Sequence, residues 1–262
     1  MDLRQHIYRL AIALLCIASV GSSIQPVQAK QTIICGMLAN PVTMDGKWTT
    51  SIEWKDALEM SIGFVKGSGE GYFKAKHDQN YLYVLIDFVS DTASQANDWA
   101  ALAMDVSNDG GSAPQTDDLL LMGRWNSPTD FISVMTAGTG TAWGSWGGLT
   151  SGVKVAASRD ASNDPYSTSS HLIYEFQVPM SKLNAAGTGV EGVASDREVN
   201  MGAWPLNPME APSGYAYMTY SSEVLPEFST VALTLPLLLA AVIFVLRFIG
   251  RQSVSDRVCA NR

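Results

Sequence analysis

Cysteine is scarce: the 262 residues hold 3, with Cys16 in an apolar leader, Cys259 in the extreme tail and only Cys35 between them. No disulfide can therefore form within the long middle stretch. Its stability has to come from apolar burial, helped at most by bound metal, and a hydrophobic content of 47% supplies the material. Basic side chains are scarce there too. Between residues 30 and 227 stand 23 acidic and 11 basic residues, a balance of −12, while Arg4, Arg9, Arg247, Arg251, Arg257 and Arg262 sit in the terminal segments. Such an acidic middle argues against nucleic acid as partner, because phosphate binding needs clustered Lys and Arg. Cations or neutral glycans are compatible with it. Catalytic signatures are missing as well: no Gly-x-Ser-x-Gly elbow, no phosphate-binding glycine loop with Lys, no His-Glu-x-x-His zinc motif. A glycosidase pair stays open only in the sense that 23 carboxylates always leave some pair. The chain is read as a non-enzyme.

The two ends carry the long hydrophobic runs. Residues 1–29 place two arginines before an apolar run at 10–20 and a small, polar stretch ending Val27-Gln28-Ala29, the order of a secretory signal peptide cleaved after Ala29. A run of about a dozen residues falls short of the roughly 20 that span a bilayer. Residues 231–246 are free of charge, and Arg247, Arg251 and Arg257 follow. Basic residues just past an apolar helix favour the cytoplasmic side, which leaves residues 30–227 outside. The expected organisation is a signal peptide at 1–29, a domain at 30–225, and at 226–262 a transmembrane helix with a basic tail. Pro226-Glu227-Phe228, the apolar helix and the basic tail together resemble the PEF-CTERM sorting signals of archaeal surface proteins, with a longer tail than is usual. That resemblance implies an archaeosortase-type processing enzyme as a partner. An ordinary single-span membrane anchor is the alternative.

Between the ends the dominant signal is a period of two. In Tyr81-Leu82-Tyr83-Val84-Leu85-Ile86-Asp87-Phe88 the even positions form an apolar face, while Tyr81, Tyr83 and Asp87 share the other, the mark of a half-buried strand. The polar group His77-Asp78-Gln79-Asn80 predicts a hairpin turn from a strand over 71–76. Leu172, Tyr174, Phe176 and Val178 repeat the alternation until Pro179 ends it. Shorter apolar runs at 100–106, 119–122, 131–136, 153–157, 199–204 and 215–220 predict further strands, and 137–151 and 158–170 predict exposed loops. No helical period of useful length appears outside the terminal segments, apart from one turn over 54–60. Many short strands and turn-rich connections predict an all-β, antiparallel two-sheet β-sandwich, jelly-roll-like.

The order of several pieces resembles the family-nine carbohydrate-binding modules and the wider DOMON-like group. They are Asp45-Gly46-Lys47-Trp48 with Trp54, Phe73 to Asp78 with Tyr81-Leu82-Tyr83-Val84, Asn97-Asp98-Trp99 leading into Met104-Asp105, and Tyr174-Glu175-Phe176-Gln177-Val178-Pro179 with Leu183. The resemblance spans most of residues 43–222. It implies a β-sandwich that binds a sugar or, in DOMON-like relatives, a b-type haem, and that in several members holds structural calcium.

By that resemblance Trp99 and Trp204 are the expected pair for sandwiching a sugar, whose apolar faces pack on flat rings. Both residues can equally be core or rim aromatics. Trp143 and Trp146, on the glycine-rich loop, are further candidates, as is Trp125, and Glu175 resembles a structural or binding glutamate of the family. A calcium loop is read in Asp105-Val106-Ser107-Asn108-Asp109-Gly110-Gly111 with Asp117 and Asp118, since clustered carboxylates around a glycine turn can wrap a cation. A plain turn with solvated carboxylates explains the same residues. Haem would need His77, His171 or a methionine such as Met104 or Met201 as axial ligand. The functional expectation is an exported, membrane-anchored surface protein that binds a glycan or envelope polysaccharide. The alternatives are a haem-binding redox protein and a structural envelope protein without a small ligand.

Overall fold

The structure is a computed structural model that describes residues 30–197, 199–206 and 211–224. The expected signal peptide, the PEF-like motif and the C-terminal apolar segment lie outside the described residues. No helix among the described residues is long and apolar enough to cross a membrane.

Strands follow one another in the order β1 (Thr32–Cys35), β2 (Leu58–Ser61), β3 (Gly63–Lys66), β4 (Tyr72–His77), β5 (Tyr81–Phe88) and β6 (Trp99–Asp105). They continue with β7 (Leu119–Ser127), β8 (Asp130–Ala137), β9 (Lys154–Asp160), β10 (His171–Pro179), β11 (Thr188–Asp196), β12 (Asn200–Trp204) and β13 (Ala216–Tyr220). Only two short 3-10 turns, Met180–Lys182 and Pro212–Gly214, interrupt this all-β pattern among the described residues. The larger sheet runs β1-β13-β11-β6-β7-β8, with β12 beside β11 and β3 beyond it; the smaller runs β2-β4-β5-β10-β9. Pairing is antiparallel except between β1 and β13. The expected two-sheet β-sandwich is the observed fold.

Period two builds the interior. On β5, Leu82, Val84, Ile86 and Phe88 face inward, and on β6 Ala100, Leu102 and Met104 do; with Phe73, Tyr174, Phe176 and Val190 they form one core between the sheets. Each large side chain so buried contributes roughly 1.5–3 kcal/mol. The sheets approach so closely that a Cβ on Gly192 of β11 would stand 2.5 Å from the Phe73 ring, which is why this strand position has no side chain.

Three local readings differ from expectation, each for a tertiary reason. Strand β5 is buried on both faces instead of half-buried, because residues 38–57 fold over the outside of the smaller sheet and set Trp48 and Trp54 against Tyr83, Leu85 and Ile173. The helical turn expected at 54–60 is instead a run of turns leading into β2, whose Leu58–Ser61 pairs with Tyr72–Ala75 of β4. Strand β9 runs on to Asp160, because β10 supplies partners for the polar residues Ser158, Arg159 and Asp160.

Candidate functional site

Two regions hold the chemistry: the outside of the smaller sheet, closed by residues 38–57, and the outside of the larger sheet, which keeps half-exposed aromatic rings. The first is lined mainly by hydrogen-bonded carboxylates and an ammonium, the second by apolar side chains and rings.

On the smaller sheet, Glu175 of β10 is wholly buried. Its Oε2 accepts the backbone N–H groups of Asp45 (2.9 Å) and Gly46 (2.7 Å), and its Oε1 accepts the Trp54 indole (3.2 Å). Burial pushes its carboxyl up to about 8 in spite of these donors. Glu53 serves the same covering segment by accepting Thr43 N–H (2.6 Å) and Thr49 N–H (2.7 Å). Lys76, with no exposed surface, bonds the Asn40 carbonyl (2.8 Å), the Glu53 carbonyl and Asp56 Oδ1 (2.9 Å), and lies 5.3 Å from the Trp54 ring centre. These buried polar groups are pinned to backbone and to one another, so they fasten the segment rather than face a ligand. Glu175, expected as a structural or binding glutamate, has both oxygens engaged by the covering segment.

Outside the larger sheet, alternation points Trp99, Ala101 and Ala103 of β6 away from the core, beside Leu120, Met122 and Arg124 of β7. Ala101, Ala103, Leu120 and Tyr215 make a buried apolar floor, and half-buried Trp99, Met122 and Trp143 pack against it. Trp99 pairs in register with Arg124 on one side and Ser195 on the other, so these side chains stand on one face about 4.5–5.5 Å apart at their Cβ atoms. The Arg124 guanidinium reaches Asn126 Oδ1 (3.1 Å), whose amide in turn donates to Asp130 (3.2 Å), and all three are exposed. A ring edged by guanidinium, amide and carboxylate can stack on a polyol face and bond its hydroxyls. Two buried polar atoms of this face, Trp143 Nε1 and Tyr215 Oη, have no hydrogen-bond partner.

The structure does not bring Trp99 and Trp204 together. Trp204 pairs with Gly192, whose position points into the core, and its ring lies 4.7 Å from Phe73 between the sheets with 5% exposure. The two rings therefore face opposite sides of the larger sheet and cannot enclose one sugar. Trp143 joins Trp99 on the outer face instead, held there by a bridge to Gly138 at the end of β8. Trp146 is 46% exposed beside the Met135–Gly147 bridge, and Trp125 points inward against Phe131 (5.2 Å).

The calcium loop is also arranged differently from expectation. Asp105 is buried, and its oxygens accept the N–H groups of Asp109 (3.1 Å) and Gly110 (2.9 Å); Asp118 Oδ2 accepts Gln115 N–H (2.6 Å). Asp109 and Asp117 are exposed, Asp117 accepting Ser107 N–H (3.1 Å). Lys30 places its ammonium 3.9 Å from Asp105 and bonds Asn108. Lys30 thus stands beside one of the four aspartates, Asp118 Oδ1 is buried without a hydrogen-bond partner, and no three of the four offer ligand atoms within 4.8 Å of one another. Two other groups of side chains do converge among the described residues: Asp87, Asp164 and His171, and Asp91, Asp98 and Asp196, each offering ligand atoms within 4.8 Å of one another. Sequence reasoning missed both, because their members come from separate turns and strands.

As for haem, both ring nitrogens of His77 are engaged by the carbonyls of Asp78 (3.0 Å) and Ser221 (2.9 Å). Those of His171 are engaged by Ser169 (2.8 Å) and Asp87 (2.6 Å). Neither presents a free nitrogen as an axial ligand.

No protein-family model matches the chain, and no curated protein matches it. Solved structures do. A family 9 carbohydrate-binding module from Caldicellulosiruptor kristjanssonii, determined with cellotriose, is similar at 16% identity and TM-score 0.52, covering 76% of this chain and 100% of its own. The module from that organism determined with glucose is similar at 15% identity and TM-score 0.50, with the same coverage. At this identity the likeness concerns architecture, and this chain shares the β-sandwich fold of family 9 carbohydrate-binding modules.

Proposed function

We propose that the protein is an exported, non-catalytic carbohydrate-binding protein of the cell surface, anchored through its C-terminal apolar segment or processed there by an archaeosortase-type enzyme. The carrying observation is the half-buried Trp99 ring on the outer face of the larger sheet, beside the exposed Arg124-Asn126-Asp130 chain. Apolar sugar C–H faces pack on such a ring while the polar rim takes the hydroxyls. A neutral glycan suits this edge, since its guanidinium and carboxylate are already paired through Asn126. The related modules were determined with cellotriose and with glucose, so β-glucans are the first ligand class to try. The acidic balance of the middle stretch accords with a neutral rather than an anionic polymer.

The test is titration calorimetry of the full chain with cellotriose and a panel of neutral oligosaccharides, backed by a glycan array. Trp99→Ala should weaken binding about tenfold or more, corresponding to ~1.4 kcal/mol, and Arg124→Ala should weaken it less. Binding that ignores Trp99→Ala overturns the site. An array with no positive glycan overturns the function and leaves a structural envelope role.

A further inference from the structure

We infer that the outer face of the larger sheet receives the interior of an extended β-1,4-linked polysaccharide, laid across the strands, rather than the end of a chain. This rests on the sugar reading above and adds how the polymer lies. The carrying observation is a row of side chains at one level of the sheet. Pairing sets Met201 of β12 opposite Ser195 of β11, Ser195 opposite Trp99 of β6, Trp99 opposite Arg124 of β7, and Arg124 opposite Ile132 of β8. Their chain neighbours fix which way the row faces. Ala194 and Ala100 belong to the core between the sheets, and a Cβ on Gly202 or Gly123 would meet Ile62 or Phe131 there. Alternation therefore turns all five side chains of the row outward together.

The row alternates in character. Met201, Trp99 and Ile132 are apolar and half-buried, and between them stand the small Ser195 and the exposed Arg124. Strands lie 4.7–4.9 Å apart, so an apolar contact recurs about every 9.6 Å. A β-1,4-linked chain of pyranoses is a ribbon in which each sugar is turned over relative to the last, so the same face returns once per disaccharide, at nearly that interval. Its apolar C–H faces can meet Met201, Trp99 and Ile132 in turn, while Ser195 leaves clearance for one intervening sugar and Arg124 offers donors to the next.

Capture of a chain end would need a second wall around the terminal sugar. Trp204, the ring expected to oppose Trp99, lies between the sheets against Phe73. Past Met201 the row continues to Val65 and Lys66 of β3, both exposed, and at Ile132 it reaches β8, the last strand of its sheet. A polymer can run on at either end. Between Met201 and Ile132 the one charged side chain is Arg124, answered through Asn126 by Asp130, which suits uncharged sugars. Neighbouring strands are also rotated by about 20–25° from one to the next, so the row turns as it crosses the sheet. A single solvated chain can follow that turn; the flat face of a crystal cannot.

The experiment is titration calorimetry of the full chain with the series from cellobiose to cellohexaose, each with its terminal sugar intact and reduced to the alditol, beside sedimentation with crystalline cellulose. Affinity should climb roughly tenfold or more along the series, as the four strand spacings of the row, about 19 Å, become filled. Reduction of the terminal sugar should leave cellohexaose binding unchanged, and the protein should not sediment with the crystalline polymer. Met201→Ala and Ile132→Ala, both at half-buried positions where folding is not at risk, should each weaken cellohexaose roughly threefold or more and leave cellobiose unchanged. The inference is overturned, with the sugar reading intact, if cellobiose binds as tightly as cellohexaose and both need Trp99, or if reducing the terminal sugar abolishes binding. Cellohexaose affinity unmoved by both Met201→Ala and Ile132→Ala overturns it too, as does tight sedimentation with crystalline cellulose. Failure of every oligosaccharide to bind removes the sugar reading and this inference together.

Discussion

Replacing Glu175 distinguishes a scaffold residue from a ligand-contacting one. Its two carboxylate oxygens take two backbone N–H groups, of Asp45 and Gly46, and the Trp54 indole, all in a region with no exposed surface at Glu175 itself. Glu175→Ala leaves three donors without an acceptor and opens a hole beneath residues 45–54. At about 1–3 kcal/mol for each unsatisfied buried donor, with some relief from entering water, the loss is about 3–6 kcal/mol. That is a large part of the ~5–15 kcal/mol that holds a domain together, and at roughly 2–4 °C per kcal/mol it lowers Tm by about 6–24 °C. Glu175→Gln keeps one acceptor oxygen for the backbone amides and should cost much less. The parent also separates from both variants by pH. Because burial holds the Glu175 carboxyl up at about 8, above its ordinary 4.5, the native state keeps this proton more tightly than the unfolded chain does. Its contribution is full below about 4.5 and declines as pH rises toward 8, so Glu175→Gln should gain on the parent across that window. Thermal unfolding followed by circular dichroism at pH 5 and pH 8 reads both effects. A Tm for Glu175→Ala within about 2 °C of the parent, combined with weakened glycan binding, would refute the scaffold assignment.

Three further outcomes follow from the same geometry. Lys76→Met removes the cation paired with buried Asp56 and bonded to two carbonyls, so it should cost about 3–5 kcal/mol in urea unfolding; a loss below ~1 kcal/mol would show that the pair is not buried in solution. Gly46→Ala should prevent folding or lower Tm steeply, since Gly46 has φ 77° and an added Cβ would overlap the backbone of Ala157; soluble, normally melting protein would contradict the close approach of residues 45–48 to β9. Burial opposes charge on His171, yet its hydrogen bond to Asp87 and the charges of Asp87 and Asp164 outweigh it and raise its pKa above 6.5. That stabilisation is complete below 6.5 and is lost as pH rises through the raised value, so the Tm advantage of the parent over His171→Gln should shrink between pH 6 and pH 9, and a constant difference would refute the linkage.

Much of the fold was legible because two-residue periodicity is a local property. The alternations at 81–88 and 172–178 mark β5 and β10, and Pro179 marks the end of the latter. What alternation cannot report is a second covering layer. Tyr83 and Asp87 look like residues of a wet face, and they are buried only because Trp48 and Trp54 arrive from some 30–40 positions earlier in the chain and dock there. The candidate site residues divide in the same way. Trp99 was visible as an aromatic beside Asn97-Asp98, and the structure leaves it facing outward. Trp204 read equally well as its partner, but whether a strand residue points in or out depends on register, and its pairing with Gly192 turns it inward.

By itself the sequence determined an acidic middle without disulfides, bounded by two apolar ends and built from short alternating strands, because composition and period are written residue by residue. Only the tertiary structure decided which rings share a face and which carboxylates converge. Asp91, Asp98 and Asp196 span more than 100 positions, and β5, β6 and β11 bring them within ligand distance only after the sheets have formed. Contacts of that kind depend on strand order and register, which are settled by the packing of the whole core.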